Sequence, residues 1–130
     1  MGHKQISKSA VIYPNVKLGN NVVVEEFCIL GAADSSNVTE IGDNAVIRSH
    51  TVIYSGCKIG SGFKTGNKVN IRENCEIGND VSIGTLTVLE HQVKIEDGAR
   101  IHSQAFVPEY TVIEQGAWIG PNVVITNAKY

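Results

Sequence analysis

The sequence predicts an all-β fold, a parallel β-helix of about seven triangular coils, and two observations carry that prediction. From Ile41 to the last residue the chain divides into fifteen consecutive six-residue blocks, fourteen of which open with Ile, Leu or Val. Only Thr65 breaks the run. The fifth residue of a block is usually small or apolar, as in Ala45, Cys57, Phe63, Val81 and Ala99. On an extended segment, positions one and five face the same side. The residues between them are mostly Gly, Asn, Asp, Ser, Glu and Lys, which suit a corner or a wetted face. Three blocks make one coil of eighteen residues, and stacking coils about 4.8 Å apart lines the interior with aliphatic ladders. An amphipathic helix fails the same pattern. Residues six apart drift by about 120° around a helix of 3.6 residues per turn, so the Ile set would circle it.

The elements follow in order. Met1 to Gln5 is a polar lead-in. Ile6, Ile12, Leu18, Val24 and Leu30 carry the same six-residue phase. Gly31 to Glu40 then interrupts it with a polar stretch, predicted to leave the ladder as a surface loop near 31–40. From Ile41 the hexads run to the end, so residues 1–130 read as a single β-helix domain. The glycines at block position two, such as Gly42, Gly60, Gly66, Gly78, Gly84 and Gly120, are expected to serve corners and not to form a phosphate loop. Val23, Ile29, Val46, Val52, Val88, Val112, Trp118 and Val124 occupy position six, expected beside the corners.

Composition agrees with one compact domain. Apolar residues make up 42% of the chain and aromatic residues 6%, as expected where branched aliphatics fill narrow coils. A net charge of −2 without a run of Lys and Arg argues against a nucleic-acid partner. The apolar residues are periodic and never continuous, which argues against a membrane partner or a signal segment. Three cysteines point to a reducing, cytoplasmic compartment. Cys57 and Cys75 are eighteen residues apart and are expected to stack in one interior column as core residues.

Blocks such as Ile-Gly-Asn-Asp-Val-Ser (77–82) and Ile-Gly-Pro-Asn-Val-Val (119–124) resemble the hexapeptide-repeat acyltransferases. The resemblance implies a left-handed winding, against the usual right-handed crossover rule. Longer strings, Ile-Arg-Ser-His-Thr-Val-Ile-Tyr (47–54), Ile-Arg-Glu-Asn (71–74), Arg-Ile-His-Ser-Gln-Ala-Phe-Val-Pro-Glu (100–109) and Trp-Ile-Gly-Pro-Asn-Val-Val-Ile-Thr-Asn-Ala (118–128), are similar to the nucleotide-sugar N-acetyltransferases of that group. That likeness implies acetyl-CoA as acyl donor, a nucleotide-linked amino sugar as acceptor, and a homotrimer with sites in the clefts between prisms. In those relatives further coils follow the Thr-Asn motif and build much of the coenzyme wall. An uncapped coil also leaves an open ladder edge. The expectation is therefore that the chain is a piece of a longer protein lacking the C-terminal coils, or that it covers its end by assembly.

Acetyl transfer to an amine needs a base near neutral pH and donors for the tetrahedral oxyanion, here expected to be backbone amides. Histidine suits the base. His102, within the family-like string, is the candidate catalytic residue. His50 falls on the same side of the prism, three coils or about 14 Å away, too far to act on the same proton. Asn67, in the unusual Thr65-Gly66-Asn67 block, stands where relatives often carry His, and is a candidate substrate-binding residue with His50. Arg72 and Glu73 lie on a second side and are candidates for the nucleotide phosphate or sugar, although a solvated charge ladder with Glu90, His91 and Glu109 is the favoured reading of them. The resemblance places Asn127 near the acyl site. No metal is expected. Gamma-type carbonic anhydrases share this fold and bind zinc through two histidines five apart plus a third, whereas His91 and His102 are eleven apart. The other readings are a non-enzymatic trimeric assembly module and a gamma-carbonic-anhydrase-like metalloenzyme whose ligands combine from two chains.

Overall fold

The computed structural model describes residues 4–127. Those residues form nineteen short strands and no helix. The strands pair only in parallel and make three sheets, the sides of a triangular prism. The first face has seven strands, from Gln5–Ile6 through Val46–Ile47, Lys64–Thr65, Ser82–Ile83 and Arg100–Ile101 to Trp118–Ile119. The second runs over six, from Val11–Ile12 to Phe106–Val107, and the third over six, from Val16–Leu18 to Val112–Ile113. Partners lie eighteen residues apart, as in Lys64↔Ser82, Asn70↔Val88 and Glu76↔Lys94. The winding agrees with the left-handed sense that the family resemblance implies. Nineteen strands make six turns and open another, slightly fewer than the seven coils expected, because after Trp118–Ile119 the next strand position is reduced to the bridge Phe106↔Val124.

The hexad explains each coil. Positions five and one straddle a strand residue and point inward, so Ala45, Ile47, Cys57, Ile59, Phe63, Ile71, Val81, Ile83, Ala99 and Ile101 are all buried. Position six lies between them and points outward from mid-strand. It does not sit beside the corner, as expected from the sequence, because the turn falls at positions three and four. Position four takes the left-handed conformation, with φ of 64° at Asn44, 61° at Asn74 and 56° at Asp80. Asn and Asp tolerate that region best among residues with a Cβ.

The position-two glycines correct another expectation. Gly60 and Gly84 are not in the left-handed region; they are required by crowding between coils. A Cβ on Gly60 would lie 2.3 Å from Asn79 Oδ1, and one on Gly84 would lie 2.5 Å from the Ser103 backbone nitrogen.

The insertion is narrower than 31–40. Val23 pairs with Val46 and Ile29 with Val52, a step of twenty-three residues in place of eighteen. The strand Ile29–Ala32 runs on through Gly31, and the next begins at Thr39, which leaves 33–38 as the loop. Polar backbone needs partners wherever it touches the prism. Asn15 Nδ2 donates to the carbonyls of Asp34 (3.2 Å) and Asn37 (2.7 Å), Asn37 Nδ2 donates to Asn74 Oδ1 (2.8 Å), and Lys58 Nζ donates to the Val38 carbonyl (3.0 Å).

The core holds three free cysteines, Cys28, Cys57 and Cys75, all buried. Buried threonines supply the polar exceptions. The Thr65 hydroxyl, in the one block without an aliphatic opener, accepts the Arg48 N–H at 3.0 Å and lies 3.5 Å from the Thr51 hydroxyl. No helix among the described residues is long and apolar enough to cross a membrane.

Candidate functional site

The three faces differ in what they turn outward. The third carries an alternating charge ladder, Glu40, Lys58, Glu76 and Lys94 in register. The second is largely apolar. The first carries Lys64, Ser82, Arg100 and Trp118 in register.

An open trough of about 320 Å³ lies where the first face turns into the second. Arg48, Gly66, Gly84 and His102 occupy block position two on successive coils, so they form one column eighteen residues apart. The two glycines carry no side chain, and the column is therefore hollow between Arg48 and His102. Lys64 and Ser82 line it from the adjoining strands. Arg48 Nη1 is held by Glu25 Oε2 at 3.0 Å. With Arg100 beside it, this region concentrates cations in a chain of net charge −2.

His102 lines the trough at the far end from Arg48. Its ring lies 4.2 Å from that of Trp118, centroid to centroid, at 49°. Its backbone is fixed on both sides: the N–H donates to the Ile119 carbonyl (2.9 Å), and the carbonyl accepts the Thr87 hydroxyl (3.0 Å). Its Nε2 is buried and has no hydrogen-bond partner. A ring nitrogen shut from water without a partner is costly, and a proton-bearing ligand would satisfy it.

His50 and Asn67 stand on the same edge of the prism as His102. His50 is a left-handed corner residue, φ 65°, with its ring 5.2 Å from that of Phe27. Asn67 is exposed; its Nδ2 donates to Ser49 Oγ at 2.9 Å and its N–H to Thr85 Oγ1 at 3.1 Å. Arg72, Glu73 and Asn127 stand on the next edge, between the second and third faces. Arg72 Nε donates to Glu73 Oε1 at 3.1 Å, and the guanidinium lies 4.8 Å from the Tyr54 ring centroid. Asn127 Nδ2 donates to the Glu109 carbonyl at 2.6 Å. The six candidate residues thus fall into two clusters, separated by the width of the second face.

The sequence reading missed Arg48, Lys64, Ser82 and the two-glycine floor. The eighteen-residue column from Arg48 to His102 was the signal that could have found them. A larger recess of about 470 Å³ lies on the third face among Lys58, Glu76, Lys94 and Asp97. Its lysines and acids alternate and it contains no histidine, so any general base there would be one of its exposed carboxylates. Among the described residues no three His, Cys, Asp or Glu side chains gather closely enough to hold a metal ion. His91 stands on the second edge against Tyr110 and Gln92.

The family described as Bacterial transferase hexapeptide (six repeats) matches residues 74–109. The chain is a hexapeptide-repeat protein. Over 122 residues this hexapeptide-repeat chain is 30% identical to bifunctional protein GlmU of Clostridioides difficile, which covers 94% of this chain and 26% of that protein. Over 112 residues it is 30% identical to acyl-[acyl-carrier-protein]–UDP-N-acetylglucosamine O-acyltransferase of Campylobacter concisus, covering 81% of this chain and 43% of that one. The chain therefore spans less than half the length of these relatives. Its fold is similar to the acetyltransferase domain of PglB from Neisseria gonorrhoeae, with a TM-score of 0.79, 17% identity, and coverage of 89% of this chain and 53% of that one. It is similar also to AntD, an N-acyltransferase from Bacillus cereus solved with dTDP and coenzyme A, with a TM-score of 0.77, 20% identity, and coverage of 91% and 75%.

Proposed function

We propose that the chain is the β-helix domain of a cytoplasmic acyltransferase that uses acetyl-CoA to acetylate an amino sugar carried on a nucleotide. The observation that carries the reading is the trough, with the orphaned His102 Nε2 at one end and Arg48 and Lys64 at the other. The sugar amine attacks the thioester carbonyl, and Nε2, brought into the trough by rotation of the His102 ring from under Trp118, takes the proton that the amine loses. The tetrahedral intermediate collapses, the C–S bond breaks, and the imidazolium returns the proton to the departing thiolate. The relatives named for O-acyl transfer to UDP-N-acetylglucosamine support a nucleotide-linked sugar as acceptor, the neighbour named as an N-acyltransferase supports an amine, and its bound coenzyme A supports the donor.

The oxyanion donor is not on the trough floor. The N–H groups of Gly66 and Gly84 are spent on the carbonyls of Ile83 (2.8 Å) and Ile101 (2.7 Å). The two-edge division of the candidate residues points the same way. Arg72, Glu73 and Asn127 would meet His102, His50 and Asn67 only across two copies, as in a homotrimer with shared clefts. In that arrangement Arg72 and Glu73 hold the nucleotide phosphate or sugar, while Asn67, His50 and Asn127 bind the acceptor.

The test is coenzyme A release with acetyl-CoA and a panel of UDP-, dTDP- and GDP-linked sugars bearing a free amine or only hydroxyls. His102→Gln is expected to lower kcat by roughly 10²–10⁴ with unchanged circular dichroism. Full activity in that variant would remove His102 from the chemistry. The same two-edge division also favours a second reading, a non-enzymatic assembly module. Titration calorimetry decides between them: a stable oligomer that takes up no acetyl-CoA supports the module.

A further inference from the structure

The outward column of the second face runs Val11, Ile29, Val52, Asn70, Val88, Phe106 and Val124, each paired in register with the next. Six of the seven are apolar. Asn70 stands in the middle, with three apolar residues on either side. The neighbours of this column are also unusual. Phe27 and Leu86, at the edge where the first face turns into the second, hold the left-handed conformation with φ of 63° and 65°, although 58% and 45% exposed. Bulky apolar residues are rare in that region, and here they extend the apolar strip outward.

The other two faces do not suit burial against a copy of the chain. The third turns out Glu40, Lys58, Glu76 and Lys94, and the first Lys64 and Arg100. Burying them would desolvate charge. The second face has one polar group, and that group is incomplete. Asn70 Oδ1 is shut from solvent and has no hydrogen-bond partner in the chain. A carboxamide carries both donor and acceptor, so it complements another copy of itself. Its last torsion is soft, and rotation turns the oxygen outward.

We propose that Asn70 is the register key of a homotypic interface: copies of this chain pack second face to second face, and their Asn70 amides meet at one height and bond to one another. A slip by one coil would set an amide against Val52 or Val88 and leave it unbonded in an apolar seam. The logic is that of a single buried Asn in a coiled coil, which fixes alignment at a cost in affinity. The inference rests on the assembly reading above and adds to it the contact that selects the alignment.

Sedimentation and native mass measurement of the full chain test it. Asn70→Val is expected to tighten the dissociation constant by about tenfold or more, because an apolar residue replaces a polar group in an apolar seam. Asn70→Asp is expected to weaken it by a similar factor or abolish assembly, since like charges then meet at one level. Circular dichroism establishes that each variant is folded, and Asn70→Val decides alone if the Asp variant is not. A valine variant with an unchanged or weaker constant overturns the register key, as does a folded aspartate variant that assembles like the wild type. A wild-type chain that stays monomeric across its soluble range overturns the assembly reading itself, and Asn70 with it.

Discussion

At the residue scale, each hexad makes a different demand at each position, and the sequence meets those demands unevenly. Position four needs φ near +60°, and Asn44, Asn74, Asp80 and Asn122 meet it cheaply. Leu86 meets it at a cost, with φ 65° and little burial in return. Leu86→Asn is therefore expected to raise stability by about 1 kcal/mol, read as a higher urea midpoint at constant slope. A lower midpoint would mean that Leu86 packs against something worth more than its strain. The glycines were legible as a repeated letter, but not in their cause. Only the coil below Gly84, with Ser103 N 2.5 Å from where a Cβ would stand, shows that the requirement is space and not conformational freedom.

At the element scale, a strand here is two or three residues long and derives its identity from the strands eighteen residues away. Thr65 illustrates the limit of reading letters alone. It is the gap in the aliphatic column, and a repair to the pattern would look stabilising. Its hydroxyl, however, accepts the Arg48 N–H at 3.0 Å beneath the trough. Thr65→Val is expected to destabilise by about 1 kcal/mol, because the partly buried Arg48 N–H then lacks its acceptor. An equal or higher melting temperature would show that the hydrophobic gain outweighs that bond. The inserted loop shows the same dependence. Its polar composition was readable between Leu30 and Ile41, but its length was not, because Gly31, Ala32, Thr39 and Glu40 are drawn into strands by pairing partners elsewhere.

At the scale of the whole molecule, the prism is sealed along its length, and its contents report on global opening. Cys28, Cys57 and Cys75 are all buried, and hydrogen bonding to Cys75 together with burial pushes the Cys57 thiol up from its ordinary range. The neutral thiol is therefore favoured well above neutral pH, and it is a poor nucleophile. Alkylation followed by mass spectrometry is expected to leave all three thiols unmodified in the native protein and to modify all three together in denaturant. Labelling of Cys57 alone under native conditions would reveal a local opening at the edge between the second and third faces. The same scale decides the site. His102, His50 and Asn67 share one edge while Arg72, Glu73 and Asn127 share another, a division set by where each residue falls within the eighteen-residue coil.

The period of six, the inward aliphatic columns and the family were all present in the chain itself, because a solenoid stacks each block on the block three places later and so writes its geometry into sequence spacing. What only the folded prism decided is which outward residues act together. Position within a coil tells a side chain to leave the core; it does not tell it that Gly66 and Gly84 hollow a trough between Arg48 and His102, that Nε2 of His102 is left without a partner under Trp118, or that Asn70 interrupts an otherwise apolar face. Those facts depend on what the coils above and below place beside each residue, and the repeat leaves outward positions free to vary.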